Sequence, residues 1–272
     1  MEDPGFTRLK ECIYETLGFN ADRYESKHFK RRIQSRMRAT GTQDYNTYLG
    51  HLKNNADERE KLKAALTINV TEFFRNPEVY QVFSEKMVPK LLKEQQAGMD
   101  VPLRIWSLGC ATGEEPYSIA MIAASAVENT LHKGVRIYAT DIDTDALDIA
   151  KKGEYKDVST IPTGFIKKYL TEEPGGNFTF KKEISDLITF RRHDVFSDPP
   201  LKNMDVLFCR NTIIYFNDES KKHLYKLFNS SLVMGGYLVL GKAESFIIYK
   251  DYGFEVFERK SHIFQKVESV EE

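Results

Sequence analysis

The stretch RIWSLGCATGEEPYS at residues 104–118 reads as a strand, a glycine turn and the start of a helix. Arg104–Leu108 is the β-rich run, Gly109 and Gly113 bracket the turn, and Pro116 suits the first turn of a helix over Glu115–Val127. The same alternation continues downstream. Arg136–Thr140, Ile188–Arg191, Asp205–Cys209 and Tyr237–Leu240 are further β-rich runs. Helical segments fall before residue 100, at Thr144–Lys151 and at Glu219–Leu232. Strands alternating with helices predict βαβ units and a parallel sheet. Phe254–Glu258 and Ser261–Val267, joined across Arg259-Lys260, predict a closing antiparallel hairpin.

Outward from this region the texture changes twice. Residues 1 to about 68 read helical throughout. Phe6, Leu9, Ile13 and Leu17 repeat at helical spacing before Gly18; Phe29, Ile33 and Met37 mark a second helix before Gly41. Tyr45, Tyr48, Leu49 and Leu52 mark a third, and Leu62, Ala65, Leu66 and Val70 a fourth. The second change is a span of about 35 residues between Lys152 and Ile188, too long for an αβ loop of ~2–6 residues. Pro162, Gly164, the turn Pro174-Gly175-Gly176-Asn177 and the alternating run Phe178–Lys182 predict an inserted subdomain of helix and antiparallel strands, about 153–189.

Composition bounds the remaining classes. The 272 residues carry 39 basic and 40 acidic side chains, a net charge of −1, which disfavours a globally basic nucleic-acid binder and disorder of the whole chain. No apolar stretch approaches the ~20 residues of a membrane span, and the N-terminus lacks the apolar core of a signal peptide. Cys12, Cys110 and Cys209 have neither metal-ligand nor redox spacing, so a reducing cytoplasm and no metal site are expected.

In an open α/β sheet, ligands sit beyond the carboxyl ends of the strands. After the first strand comes the Gly109–Gly113 turn, then Glu114-Glu115 where a dinucleotide fold would receive phosphates. Two carboxylates oppose an anion and tolerate a cation, so this loop favours S-adenosylmethionine, a sulfonium with an ammonium group, over NAD. After the second strand, Asp141 is placed to accept from a ribose diol, while Asp143 reads as the cap of the next helix. After the third, Asp194 is a candidate acceptor for an adenine amino group, with Val195 or Phe196 beside the ring. Arg210-Asn211 follow the fourth strand. Together these ends indicate a Rossmann-like class I methyltransferase sheet. Asp198-Pro199-Pro200-Leu201 is similar to the motif of methyltransferases acting on base amino groups. It precedes its strand and lacks the stacking aromatic, so it reads as a loop.

N-x-T-x-F-F-R at 69–75, G-x-x-x-G-E-E-P-Y-S at 109–118, A-T-D-I-D at 139–143 and F-C-R-N-x-x-I-Y-F at 208–216 occur in order. In this set the chain resembles the chemotaxis-receptor glutamate methyltransferase family, CheR, over nearly its whole length. The resemblance implies a helical N-terminal domain with linker over 1–77 and an S-adenosylmethionine-binding catalytic domain over 78–272. It implies methyl transfer to glutamate side chains on cytoplasmic helices of chemoreceptors, giving glutamate 5-O-methyl esters and S-adenosylhomocysteine. It implies binding to the cytoplasmic domain of chemoreceptors; a monomer that binds no nucleic acid and does not insert into a membrane is expected. Carried over by motif, the cofactor contacts are Asn69, Thr71, Arg75, Gly109, Glu115 (at the methionine ammonium), Asp141, Asp194, Val195, Arg210 and Asn211. Arg75 and Tyr215 are the expected catalytic residues, Arg75 orienting the carboxylate and Tyr215 shaping the methyl pocket or bonding to substrate. A methyltransferase of the same fold acting on another carboxylate or on nucleic acid, and a non-catalytic receptor adaptor, are the alternatives.

Charge is unevenly spread. Between Arg23 and Arg38 lie seven basic residues against Glu25 alone, a net +6. With Phe29, Ile33 and Met37 as the buried stripe, the basic groups are expected to be largely exposed. Given the glutamate-rich helical substrate that the resemblance implies, Lys27, Lys30, Arg31, Arg32, Arg36 and Arg38 are then expected to form a docking face for it, a plain solvated face and a nucleic-acid surface being the other readings. In the family the inserted subdomain can bind a peptide at the receptor C-terminus by strand addition. The compact turn from Glu172 to Asn177 favours recognition without such a peptide.

Overall fold

The computed structural model describes residues 2–67, 69–96, 101–128 and 134–270. The chain divides into two compact units, Met1–Ile68 with Ile213–His223, and Asn69–Thr212 with Leu224–Glu272.

The first unit holds four helices, α1 (Pro4–Leu17), α2 (Ser26–Thr40), α3 (Tyr45–Asn54) and α4 (Ala56–Leu66). Their boundaries follow local chemistry. Asp3 accepts from the Gly5 and Phe6 amides at the start of α1, and Gly18 ends it at φ +67°. Asp44 caps α3 in the same way, and Gly41 closes α2 at φ +71°. The apolar stripes meet in one core containing Phe6, Leu9, Ile13, Phe29, Ile33, Tyr48, Leu52 and Leu62. The fourth helix stops at Leu66, and Val70 is 74% exposed instead of joining the stripe. Residues 213–216 add to this unit through a bridge between Tyr24 and Phe216.

The second unit begins with α5 (Pro77–Val82), which passes through a π turn at Phe83–Met87 into α6 (Val88–Gln96). A sheet and its helices follow: β1 (Leu103–Leu108), α7 (Glu114–Val127), β2 (Val135–Asp141) and α8 (Thr144–Lys152). Next come β3 (Glu154–Tyr155), α9 (Thr163–Tyr169), β4 (Leu170–Glu172), β5 (Phe178–Phe180) and α10 (Lys182–Ser185). The chain closes with β6 (Ile188–Arg192), β7 (Met204–Cys209), α11 (Asp218–Ser231), β8 (Leu232–Leu240), β9 (Phe254–Glu258) and β10 (Ile263–Lys266).

The main sheet has seven strands in the order β6-β2-β1-β7-β8-β10-β9. The first five run parallel, and β10 runs against both β8 and β9. This is the Rossmann-like class I methyltransferase arrangement. The order reverses at β1, and in open α/β sheets ligands bind beyond the carboxyl ends of the strands at such a point. The Trp106 indole crosses from β1 to β2 and donates to Thr140 Oγ1 at 2.9 Å, which satisfies its polar edge inside the sheet.

The insertion is a three-stranded antiparallel sheet, β3-β5-β4. It has no core of its own. Tyr155, Tyr169, Leu170 and Phe180 belong to the same apolar cluster as β1, α7 and β2. Phe180 stacks on Tyr117 of α7 with centroids 4.1 Å apart and planes 8° from parallel. Phe180→Leu keeps most of the volume but removes the stacking, and should destabilise this unit by about 1–2 kcal/mol. Chemical denaturation followed by circular dichroism measures the loss, and the insertion should unfold together with the second unit because the two share one core.

No helix among the described residues is long and apolar enough to cross a membrane. Cys12, Cys110 and Cys209 are buried free thiols.

Candidate active site at the strand ends

Beyond β1 the chain turns through Gly109 (φ +74°), Ala111 (φ +47°) and Gly113 (φ +101°) into α7. A Cβ at Gly109 would lie 2.5 Å from Thr212 Oγ1, and one at Gly113 would lie 2.7 Å from the Tyr155 hydroxyl and 2.8 Å from Ala150 Cβ. Both glycines are therefore required by conformation and by space. Asp141, at the end of β2, holds this turn. Its Oδ2 accepts the Ala111 amide at 2.9 Å, and its Oδ1 accepts the Asp143 amide at 2.9 Å. A carboxylate offers about four acceptor positions, so capacity remains for a ligand hydroxyl. Burial pushes the Asp141 carboxyl above its ordinary value, and the Asp143 and Ala111 amides oppose that shift. Asp143 caps α8 through the Asp145 and Ala146 amides, as expected. It also accepts from Asn69 Nδ2 at 2.8 Å, which brings the joining segment to the end of β2.

Glu115, in the first turn of α7, is buried. Its Oε1 accepts from Ser107 Oγ at 2.8 Å and its Oε2 pairs with Arg210 Nη1 at 3.3 Å. Arg210 also donates through Nη2 to the Arg75 carbonyl at 2.7 Å and to Asn76 Oδ1 at 2.8 Å. One guanidinium thus neutralises Glu115 and clamps the segment carrying Arg75. That segment is bent: Phe74 (φ +52°) and Asn76 (φ +60°) both lie in the left-handed region. Such conformations persist only where surroundings enforce them, and they gather at functional sites. The Phe74 amide is held by Ser118 Oγ at 3.0 Å. Arg75 itself is half-buried and donates from Nη1 to the Val70 carbonyl at 3.0 Å. Burial raises the Glu115 carboxyl above its ordinary value, and the Arg210 charge opposes that rise. Glu114 is likewise pushed up by burial, opposed by its hydrogen bond from Thr112.

After β6, Asp194 accepts the Phe196 amide at 3.0 Å, and its own amide donates to Asp198 at 2.8 Å. Asp198 therefore folds the loop that holds Asp194 and Val195, consistent with a loop role for Asp198-Pro199-Pro200. Asn211, after β7, adopts φ +58°. Four of the six non-glycine positive-φ residues among the described residues are Phe74, Asn76, Ala111 and Asn211, all at or beside these strand ends.

The family model described as CheR methyltransferase, SAM binding domain matches residues 69–262, and that described as CheR methyltransferase, all-alpha domain matches residues 4–67. The chain belongs to the CheR methyltransferase family. An uncharacterized 104.1 kDa protein of Rhodobacter capsulatus is 34% identical over 95% of this chain, which spans 27% of that protein's length. A chemotaxis protein methyltransferase of Listeria innocua is 33% identical with 91% of each chain covered. One of Borreliella burgdorferi is 29% identical, covering 88% of this chain and 87% of its own.

Within this CheR chain the strand ends of the second unit bring together Asn69, Gly109, Glu115, Asp141, Arg210 and Asn211, together with the clamped backbone of Arg75. Tyr215 falls in the other unit. Its carbonyl accepts the Glu25 amide at 2.8 Å, and the Arg32 guanidinium lies 5.3 Å from its ring centroid.

The expectation of a largely exposed basic face on α2 needs correction. Lys27, Arg31 and Arg38 are exposed. Arg32 is half-buried and donates to the Ala65 and Leu66 carbonyls at the end of α4, at 3.2 and 2.5 Å. Arg36 makes a two-pronged contact with the buried Glu58, at 3.0 and 2.6 Å. Glu58 also accepts from the Tyr48 hydroxyl at 2.7 Å. Lys30 is half-buried, with its ammonium 4.8 Å from the Phe6 ring centroid. Arg32 and Arg36 are thus held against the unit, because part-buried carbonyls at the end of α4 and a buried carboxylate need donors. Arg36→Ala should cost this unit about 2 kcal/mol, the scale of removing a charged partner from a buried acceptor. Arg31→Ala should leave the melting temperature unchanged; scanning calorimetry distinguishes the two.

Sequence reasoning passed over Tyr80, Ser107, Ser118 and Glu244. The signal for Ser107 was a hydroxyl within the apolar run from Ile105 to Leu108. The others carry none until the fold brings them to Arg210, the Phe74 amide and the loop after β7.

Proposed function

We propose that this chain transfers the methyl group of S-adenosylmethionine to glutamate side chains on the cytoplasmic helices of chemoreceptors, leaving a glutamate methyl ester and S-adenosylhomocysteine. The observation that carries the reading is a pair of carboxylates at the ends of β1 and β2, the buried Glu115 and the half-buried Asp141. Each keeps acceptor positions beyond its internal hydrogen bonds, and no phosphate-binding fingerprint accompanies them. This donor and acceptor set fits the cofactor. Glu115 would receive the methionine ammonium and Asp141 the ribose diol, with Asp194 and Val195 at the adenine end. Asn69, Thr71, Gly109, Arg210 and Asn211 would complete the pocket. Bound there, S-adenosylmethionine supplies an electrophilic methyl group.

The chain's own task is positioning. A glutamate with an unperturbed pKa near ~4.3 is already an anion at neutral pH, so no general base is required. Arg75 would orient the substrate carboxylate with the planar fork of its guanidinium. Its Nη1 bond to Val70 and the Arg210 grip on its carbonyl restrict it to one approach, and restricting approach is where rate is gained. One tether suits the reaction, since two would blunt the nucleophile. Tyr215 would contact substrate. Lys27, Arg31 and Arg38 offer exposed positive charge to an acidic helical bundle. The receptor is read without a tethering peptide, in keeping with the small sheet's edge strands of only two and three residues.

Incubation with methyl-labelled S-adenosylmethionine and chemoreceptor-rich membranes tests the proposal. Label released by mild base supports an ester. Label stable to base, or label in added nucleic acid, counts against it.

A further inference from the structure

We infer that Glu244 is a positioning residue that sets the Asn211 turn for cofactor binding from beneath the site. The inference rests on the reading of Asn211 as a cofactor contact. Glu244 lies in the loop after β8 and is 2% exposed. Its Oε1 accepts the Thr212 amide at 2.8 Å, and its Oε2 accepts the Gly241 amide at 2.5 Å. One carboxylate therefore joins the loop after β7 to the loop after β8. The carboxylate is itself fixed: the Glu244 amide donates to the Gly241 carbonyl at 3.0 Å, and the Glu244 carbonyl lies 3.1 Å from His262 Nδ1.

The joined loops leave no slack around Asn211. A Cβ at Gly241 would come within 2.8 Å of the Asn211 amide nitrogen and 2.9 Å of Glu244 Oε2. On the other side, Thr212 Oγ1 fills the space that a side chain at Gly109 would need. Asn211 sits between these contacts at φ +58°, a conformation that non-glycine residues hold only when the surroundings dictate it. Glu244 supplies that constraint by fixing the next amide along. Its carboxylate thus acts on the site through the backbone.

Glu244→Gln tests this. The amide keeps the shape but sets an N–H against one of the two backbone donors. Calorimetric titration with S-adenosylhomocysteine should show Kd raised about tenfold, the scale of one buried donor left unmatched. At saturating S-adenosylmethionine, kcat should remain within about threefold of wild type, because Arg75 and its clamp are untouched. Gly241→Ala, which presses on the same turn without altering the carboxylate, should give the same split. It decides the question alone if Glu244→Gln does not fold. An unchanged Kd overturns the inference, and so does a fall in kcat as large as the loss of affinity. If wild type binds S-adenosylhomocysteine and the variants bind equally well, this inference alone fails. If wild type does not bind it, the cofactor reading fails as well.

Discussion

Arg75→Ala should lower kcat/KM for methyl transfer by about 100- to 1,000-fold, the usual loss on removing a group aimed at the reacting centre. Several features of the chain single out this arginine. It is half-buried, its carbonyl is gripped by Arg210, and its flanking residues Phe74 and Asn76 are bent into the left-handed region. Of its five N–H donors, Nη1 is engaged with the Val70 carbonyl, which anchors one arm of the fork proposed to hold the carboxylate. Arg75→Lys should restore only part of the rate, since a point charge cannot reproduce the planar contact. Substitution of any one histidine should cost far less, because the proposed acceptor, an ionised glutamate, needs no base. Steady-state kinetics on a receptor fragment makes the comparison, and a near-wild-type rate for Arg75→Ala would remove Arg75 from the mechanism.

Arg210→Ala should destabilise the second unit by about 3–5 kcal/mol, the cost of stranding a buried charge. The substitution leaves Glu115 without its counter-charge, and it takes donors from the Arg75 carbonyl and Asn76 Oδ1. The sign of the pH dependence follows. Burial already raises the folded-state pKa of Glu115, with Arg210 opposing. Without Arg210 the folded-state value rises further above the unfolded one. Between those two values the folded state holds more protons, so stability falls as pH rises. Urea titrations from acid to neutral pH should therefore show a steeper decline for the variant than for wild type. Equal slopes would mean that Arg210 does not govern the charge on Glu115.

Much of the architecture was legible before any coordinates. Five apolar runs separated by amphipathic segments announce a parallel sheet, and each ends in residues whose chemistry differs from the strand. The Gly109–Gly113 turn, the Asp143 cap and the closing hairpin are local features, so local patterns carry them. The start of β8 was not legible. Gly235-Gly236 interrupts the run, and the strand begins at Leu232 only through an irregular register with β7. The merging of the insertion with the main core was equally hidden, because it depends on Phe180 meeting Tyr117. Charge patterning failed on α2 for a related reason. A run of arginines does not reveal which guanidinium has a buried partner, and Glu58 lies 22 residues from Arg36. At the site, each residue type was readable but its partner was not. Glu115 meets Arg210 across 95 positions, and Glu244 meets Thr212 across 32.

The central claim is that the acceptor is a glutamate carboxylate. Mass spectrometry of proteolytic peptides from a chemoreceptor cytoplasmic fragment, incubated with this protein and S-adenosylmethionine, tests it most directly. The account predicts the added mass of one methylene on glutamate residues, lost on mild base treatment and missing from reactions with Arg75→Ala. A methyl group on lysine, arginine or a backbone amine, or an unmodified fragment alongside methylated nucleic acid, would contradict it.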